Sequence, residues 1–151
     1  MRKFLVLFLC SIVFSVGHAQ INSFSDFKSY IAELNSALPQ YNPDGTILAS
    51  MVVAENKSTW AIFYEIDKPD WYQMKSAGEK KLLKKSQKIV KNQIKSNSEW
   101  RSLVEASVRY NYALEYVFVQ KEVGAKRAYV YNNDTEICIR YEPNELKKLL
   151  K

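Results

Sequence analysis

Between residues 46 and 96 the chain changes its hydrophobic period, and that change limits the fold more than any other feature. Apolar side chains alternate over 46–55 and 59–67, which is the period of half-buried strands. Over 71–96 the period becomes helical. There Trp71, Tyr72, Leu82, Leu83, Ile89, Val90 and Ile94 fall on an arc of about 140° at 100° per residue. Lys80, Lys81, Lys84, Lys85, Lys88, Lys91 and Lys95 occupy the complementary side. A strand pair joined to so one-sided a helix must bury both apolar surfaces against each other, so the chain reads as an α+β layer structure.

The remaining segments extend that reading. In 22–38, Phe24, Phe27, Ile31, Leu34 and Leu38 recur at three- and four-residue steps behind a Ser23/Asp26 start, predicting a capped helix that Pro39 closes. Asn42-Pro43-Asp44-Gly45 is a turn cluster. In the hairpin, a turn at Asn56-Lys57 places Ile47, Ala49, Met51 and Val53 with Trp60, Ile62, Tyr64 and Ile66 on one core face. Asp70 and Gln73 suit the start of one long helix over 71–96, although Gly78 inside it costs about 1 kcal/mol relative to Ala. A helix over 98–109 with Trp100, Leu103, Val104 and Ser107 inward follows. Strands over 112–120, 126–132 and 135–141 come next, and then a helix over 143–150 opened by Pro143. The expected order is α-ββ-αα-βββ-α. It describes a single two-layer domain with an antiparallel sheet of about five strands and helices mainly on one face.

Residues 1–19 stand apart from this domain. Arg2 and Lys3 precede an apolar run, and Gly17-His18-Ala19 puts small residues where a signal peptidase reads. The segment reads as a signal peptide cleaved after Ala19, leaving 20–151 as the domain and an exported, periplasmic or extracellular protein. Cys10 sits in the middle of the run behind Phe8 and Leu9, which argues against a lipoprotein. Removing 19 of 151 residues leaves 132. Losing Arg2 and Lys3 but no acid lowers the formal charge from +6 to +4.

That cleavage also strips the chain of its only histidine, His18, and leaves Cys138 as its one cysteine. Imidazole-based triads and His/Cys zinc centres are then excluded, and no intramolecular disulfide can form. Cys138 could act as a nucleophile only beside a cation such as Arg140; a packed strand residue is the plainer reading. No catalytic residue, metal ligand or cofactor is expected, and no nucleotide-binding glycine motif is present.

Two surfaces are left to carry function. In the last three strands, pairing through two tight turns puts Val117, Val119, Ala128, Val130, Ile137 and Ile139 on one face. Tyr112, Leu114, Tyr116, Phe118, Tyr129, Tyr131 and Cys138 then take the other, edged by Arg127, Glu136 and Arg140. If helices cover the aliphatic side, Tyr112, Tyr116, Phe118, Tyr129, Tyr131, Arg127 and Arg140 form an outward patch suited to an envelope protein, peptide or glycan. The alternative is that these rings are the core. The second surface is the lysine face, either a solvated flank or a contact for anionic lipid or polysaccharide. Nucleic acid is not expected, because the face is all Lys and the protein is exported. A third possibility, a carboxylate hydrolase, would draw on Glu55, Glu65, Asp67, Glu115 or Glu136. The primary expectation is an exported, non-catalytic binding domain that uses the aromatic face.

Overall fold

The computed structural model describes residues 20–121 and 136–151. The expected leader, the strand over 126–132 and the turns at Val123-Gly124 and Asn133-Asp134 lie outside them. In chain order the elements are α1 (Phe24–Ser36), β1 (Gln40–Tyr41), β2 (Ile47–Ala54), β3 (Thr59–Ile66), α2 (Lys68–Ala77), α3 (Glu79–Ser96), α4 (Ser98–Arg109), β4 (Ala113–Gln120), β5 (Glu136–Tyr141) and α5 (Pro143–Leu149). The five strands form one sheet in the order β1-β2-β3-β4-β5. All five helices contribute to a single large core against one side of it.

The sheet is mixed, which corrects the antiparallel expectation. β3 and β4 run parallel, from Thr59 opposite Ala113 to Ile66 opposite Gln120. The reason is the connection: three helices separate these strands in sequence, and such a crossover returns the chain to the end where β3 began. Backbone bonds from Ala113 N–H to Ser58 and from Lys121 N–H to Ile66 extend the ladder past both ends.

The first hairpin keeps its turn register and then departs from it. Ala54 faces Thr59, Val53 faces Trp60 and Met51 faces Ile62, around a short 3-10 turn at Glu55–Lys57. A bulge at Ala49 then shifts the pairing, so that Leu48 faces Tyr64 and Ile47 faces Glu65. One extra residue reverses the alternation. Leu48 therefore enters the large core, while Ala49 packs with Ala61 and Phe63 on the other side. The expected shared core face is thereby corrected: Ala49 packs on the other side, and Ile47, although buried, lies outside the large cluster.

The long helix over 71–96 is two helices. Gly78 has φ 79° and ψ 145°, a conformation open to glycine and strained for L side chains. Across this break Trp71 stays buried but Tyr72 becomes exposed, against its expected place on the apolar arc. The helix α2 also starts earlier than expected, at Lys68. The helix α1 has the full capping box: Ser23 Oγ accepts from Asp26 N–H and the Asp26 carboxylate accepts from Ser23 N–H. Asn97 Oδ1 caps α4 by accepting from Glu99 and Trp100 N–H.

Candidate functional site

The expected aromatic patch turns inward. β5 pairs directly with β4, placing Leu114 opposite Tyr141, Tyr116 opposite Ile139 and Phe118 opposite Ile137. Ile137 and Ile139 thus share a side with the rings rather than with Val117 and Val119, and that side carries the helices. Tyr112, Tyr116 and Phe118 are all buried core residues. The expected order puts a strand between β4 and β5; their direct pairing sets a different register and so changes which residues share a face. Tyr129, Tyr131 and Arg127 lie outside the described residues.

These rings form a connected aromatic core. Phe27 meets Trp60 edge-on at 5.9 Å, Trp60 lies 5.6 Å from Trp100, and Tyr116 meets Tyr141 edge-on at 6.1 Å. Two of them, Trp60 and Tyr141, bond their polar atoms to buried serines. Trp60 Nε1 donates to Ser107 Oγ at 2.7 Å, and Ser107 Oγ donates in turn to the Leu103 carbonyl. The Tyr141 hydroxyl bonds Ser86 Oγ, which donates to the Leu83 carbonyl. Burial holds the phenols of Tyr64 and Tyr116 above their ordinary range and pushes Tyr141 up to about 12.

The opposite side of β4 and β5 holds Arg140, which is clamped. Its guanidinium donates to Thr59 Oγ1 at 2.9 Å, to the Glu115 carboxylate directly across the strand pair and to Glu142. The clamp ties β3, β4 and β5 together and engages the groups a ligand would use. Cys138, on the same side, has its thiol pushed up to about 12, first by burial and then by Glu115. Arg140 pulls the other way and loses, so Cys138 is a poor nucleophile at neutral pH. Of the five acids considered for hydrolysis, Glu55 pairs with Lys28, Asp67 with Lys121 and Glu115 with Arg140. These three are dispersed structural partners.

The lysine face does assemble. The helix α3 buries Leu82, Ser86, Val90 and Ile94, so its opposite flank carries the lysines in a row. Lys80, Lys81, Lys84, Lys88 and Lys95 are exposed, and Lys85 and Lys91 are half-buried. Among the described residues, no ion pair engages Lys80, Lys81, Lys84, Lys88, Lys91 or Lys95. The one acid on the helix is Glu79, in its first turn. Six cations therefore share a flank without an ion-pair partner among the described residues.

A second feature escaped the sequence reading. A cleft of about 270 Å³ lies between Gln20, Ile21 and Asn22 and the α4 residues Ser98, Glu99, Ser102, Glu105 and Arg109. The steps between 98–99, 102, 105 and 109 are three to four residues, so this polar stripe was legible as one helix face. What was not legible is that the segment at 20–22 lies along it.

Among the described residues, no cluster of three or more His, Cys, Asp or Glu could hold a metal, and no helix is long and apolar enough to cross a membrane. No protein-family model matches the chain, and no curated protein matches it. Among solved structures, a chain described as a "putative secreted protein" from Pseudomonas aeruginosa has a similar fold, with a TM-score of 0.53 and 12% identity. The match covers 81% of this chain and 90% of that one.

Proposed function

We propose that this chain is an exported, non-catalytic domain that attaches to anionic surfaces of the cell envelope through the lysine face of α3. The carrying observation is the row of six lysines that, among the described residues, are in no ion pair, on a helix whose other side is committed to the core. Export rests on the leader-like pattern of residues 1–19, and it accords with a fold shared with a protein described as secreted. In this reading residues 20–151 form the exported domain, and its destination is the periplasm or the exterior.

Attachment through such a face is electrostatic. The apolar side of α3 is buried in the protein, so the helix cannot also insert its apolar residues into lipid. Each lysine near an anionic surface contributes about 1 kcal/mol. Screening shortens the field from about 8 Å at physiological salt to about 3 Å at 1 M. The test is co-sedimentation with phosphatidylglycerol vesicles, using phosphatidylcholine vesicles as the neutral control. Binding is expected to the anionic vesicles only, to disappear at 1 M salt, and to weaken about 100-fold in a Lys84→Gln, Lys88→Gln, Lys95→Gln variant. Absence of binding at low salt, survival at 1 M salt or indifference to the triple substitution would each remove the proposal.

A further inference from the structure

The cleft along α4 is built around residues that directly follow the expected cleavage point. Ile21 is buried, its carbonyl accepts from Arg109 Nη1 at 3.0 Å, and Asn22 N–H is held by the Asp26 carboxylate at 3.0 Å. Gln20 thus adjoins an anchored segment, and it lines the same cleft as Glu99.

Most charges around that cleft are already engaged. On α4, Glu105 pairs with Arg101 at 2.8 Å and Arg109 is held by the Ile21 carbonyl. On α1, the Asp26 carboxylate accepts from the Asn22 and Ser23 N–H groups, and Glu33 bears on Tyr30 through its charge. Glu99 accepts from the Tyr30 hydroxyl at 3.2 Å and, among the described residues, is in no ion pair. Among the described residues, a carboxylate without a cation therefore lines the same cleft as the residue that cleavage would turn into an amino terminus.

We infer that cleavage after Ala19 delivers the α-ammonium of Gln20 to the Glu99 carboxylate, which holds it as an intramolecular ion pair. The inference rests on the export reading. Its chemical consequence is protection. An N-terminal glutamine cyclises when the neutral α-nitrogen attacks its own side-chain Cδ: a C–N bond forms, the Cδ–Nε2 bond breaks and ammonia leaves. A terminus held as ammonium has no lone pair for that attack.

The experiment uses the mature protein recovered from an exporting host. N-terminal sequencing identifies the first residue, the α-amine is titrated by NMR after reductive ¹³C-methylation, and cyclisation is followed by mass. A chain starting at Gln20 is expected, with an α-amine pKa about one unit above the ordinary ~7.7–8.0. Glu99→Gln should restore the ordinary value and, at pH 7, cyclise about tenfold faster, because the neutral fraction rises by that factor. Tyr30→Phe leaves the carboxylate in place and should keep the raised value. A terminus at Gln20 with an ordinary pKa, or a wild-type Gln20 already fully cyclised, overturns the ion pair while leaving export intact. A chain that still begins at Met1 overturns both.

Discussion

β4 and β5 carry opposite chemistry on their two sides. Toward the helices stand Leu114, Tyr116, Phe118, Ile137, Ile139 and Tyr141, all buried, with Tyr116 and Phe118 meeting rings of α4 and β3. Away from them stand Glu115 and the clamped Arg140, with Val117 and Cys138 in a small cluster with Ala61 and Phe63. The aromatic side resembles a binding surface in composition but is sealed, and the charged groups of the other side are engaged with one another. Aromatic content on a strand therefore speaks for a ligand only once its side of the sheet is known.

The largest effect should come from emptying the sealed side. Tyr116→Ala removes a fully buried ring between Trp100 and Tyr141, and a loss of about 3–5 kcal/mol is expected in denaturant unfolding, comparable to other large aromatic truncations. A near-neutral result would return Tyr116 to the surface and reopen the aromatic-patch reading.

Alkali probes the same side by a gentler route. The folded chain keeps Tyr141 protonated to about pH 12, whereas the unfolded chain ionises near 10.0. This stabilisation is complete below the unfolded value and is lost as pH climbs through the folded one. Two units correspond to about 2–3 kcal/mol. Unfolding curves between pH 9 and 12 should show the decline, and Tyr141→Phe should flatten part of it; an unchanged slope would mean the phenol is not held as described.

The smallest effect belongs to the charged cluster on the other side. Arg140→Ala should cost no more than about 1 kcal/mol by thermal unfolding, because the guanidinium and Glu142 are solvent-accessible and exposed ion pairs contribute little. A loss rivalling that of Tyr116→Ala would mean the two sides are not energetically distinct.

Much of the scaffold was readable because it depends on neighbours in sequence. The capping box at Ser23 and Asp26, the Asn42–Gly45 turn, the inward set Trp100, Leu103, Val104 and Ser107, and the lysine flank of α3 all follow from spacing of a few residues. The misreadings each hinge on one residue or one partner. Gly78 ends a helix that periodicity alone would continue. Ala49 exchanges the faces at the start of β2. Direct pairing of β5 with β4 moves Ile137 and Ile139 to the aromatic side. Of the candidate sites, only the lysine row was legible, because a helix presents its flanks whatever it packs against.

Sequence by itself determined that this chain alternates strand and helix, that each strand has two unlike sides and that one helix is basic along its outer flank. Which strands lie together, and so which side is sealed, was decided by the tertiary structure. Alternation labels the two faces of a strand but says nothing of its neighbour, and the parallel β3–β4 pairing exists only because three helices pack across the sheet and bring the chain back. The cleft at Gln20 is likewise a product of packing, since it needs an amino-terminal segment laid against a helix nearly eighty residues further along.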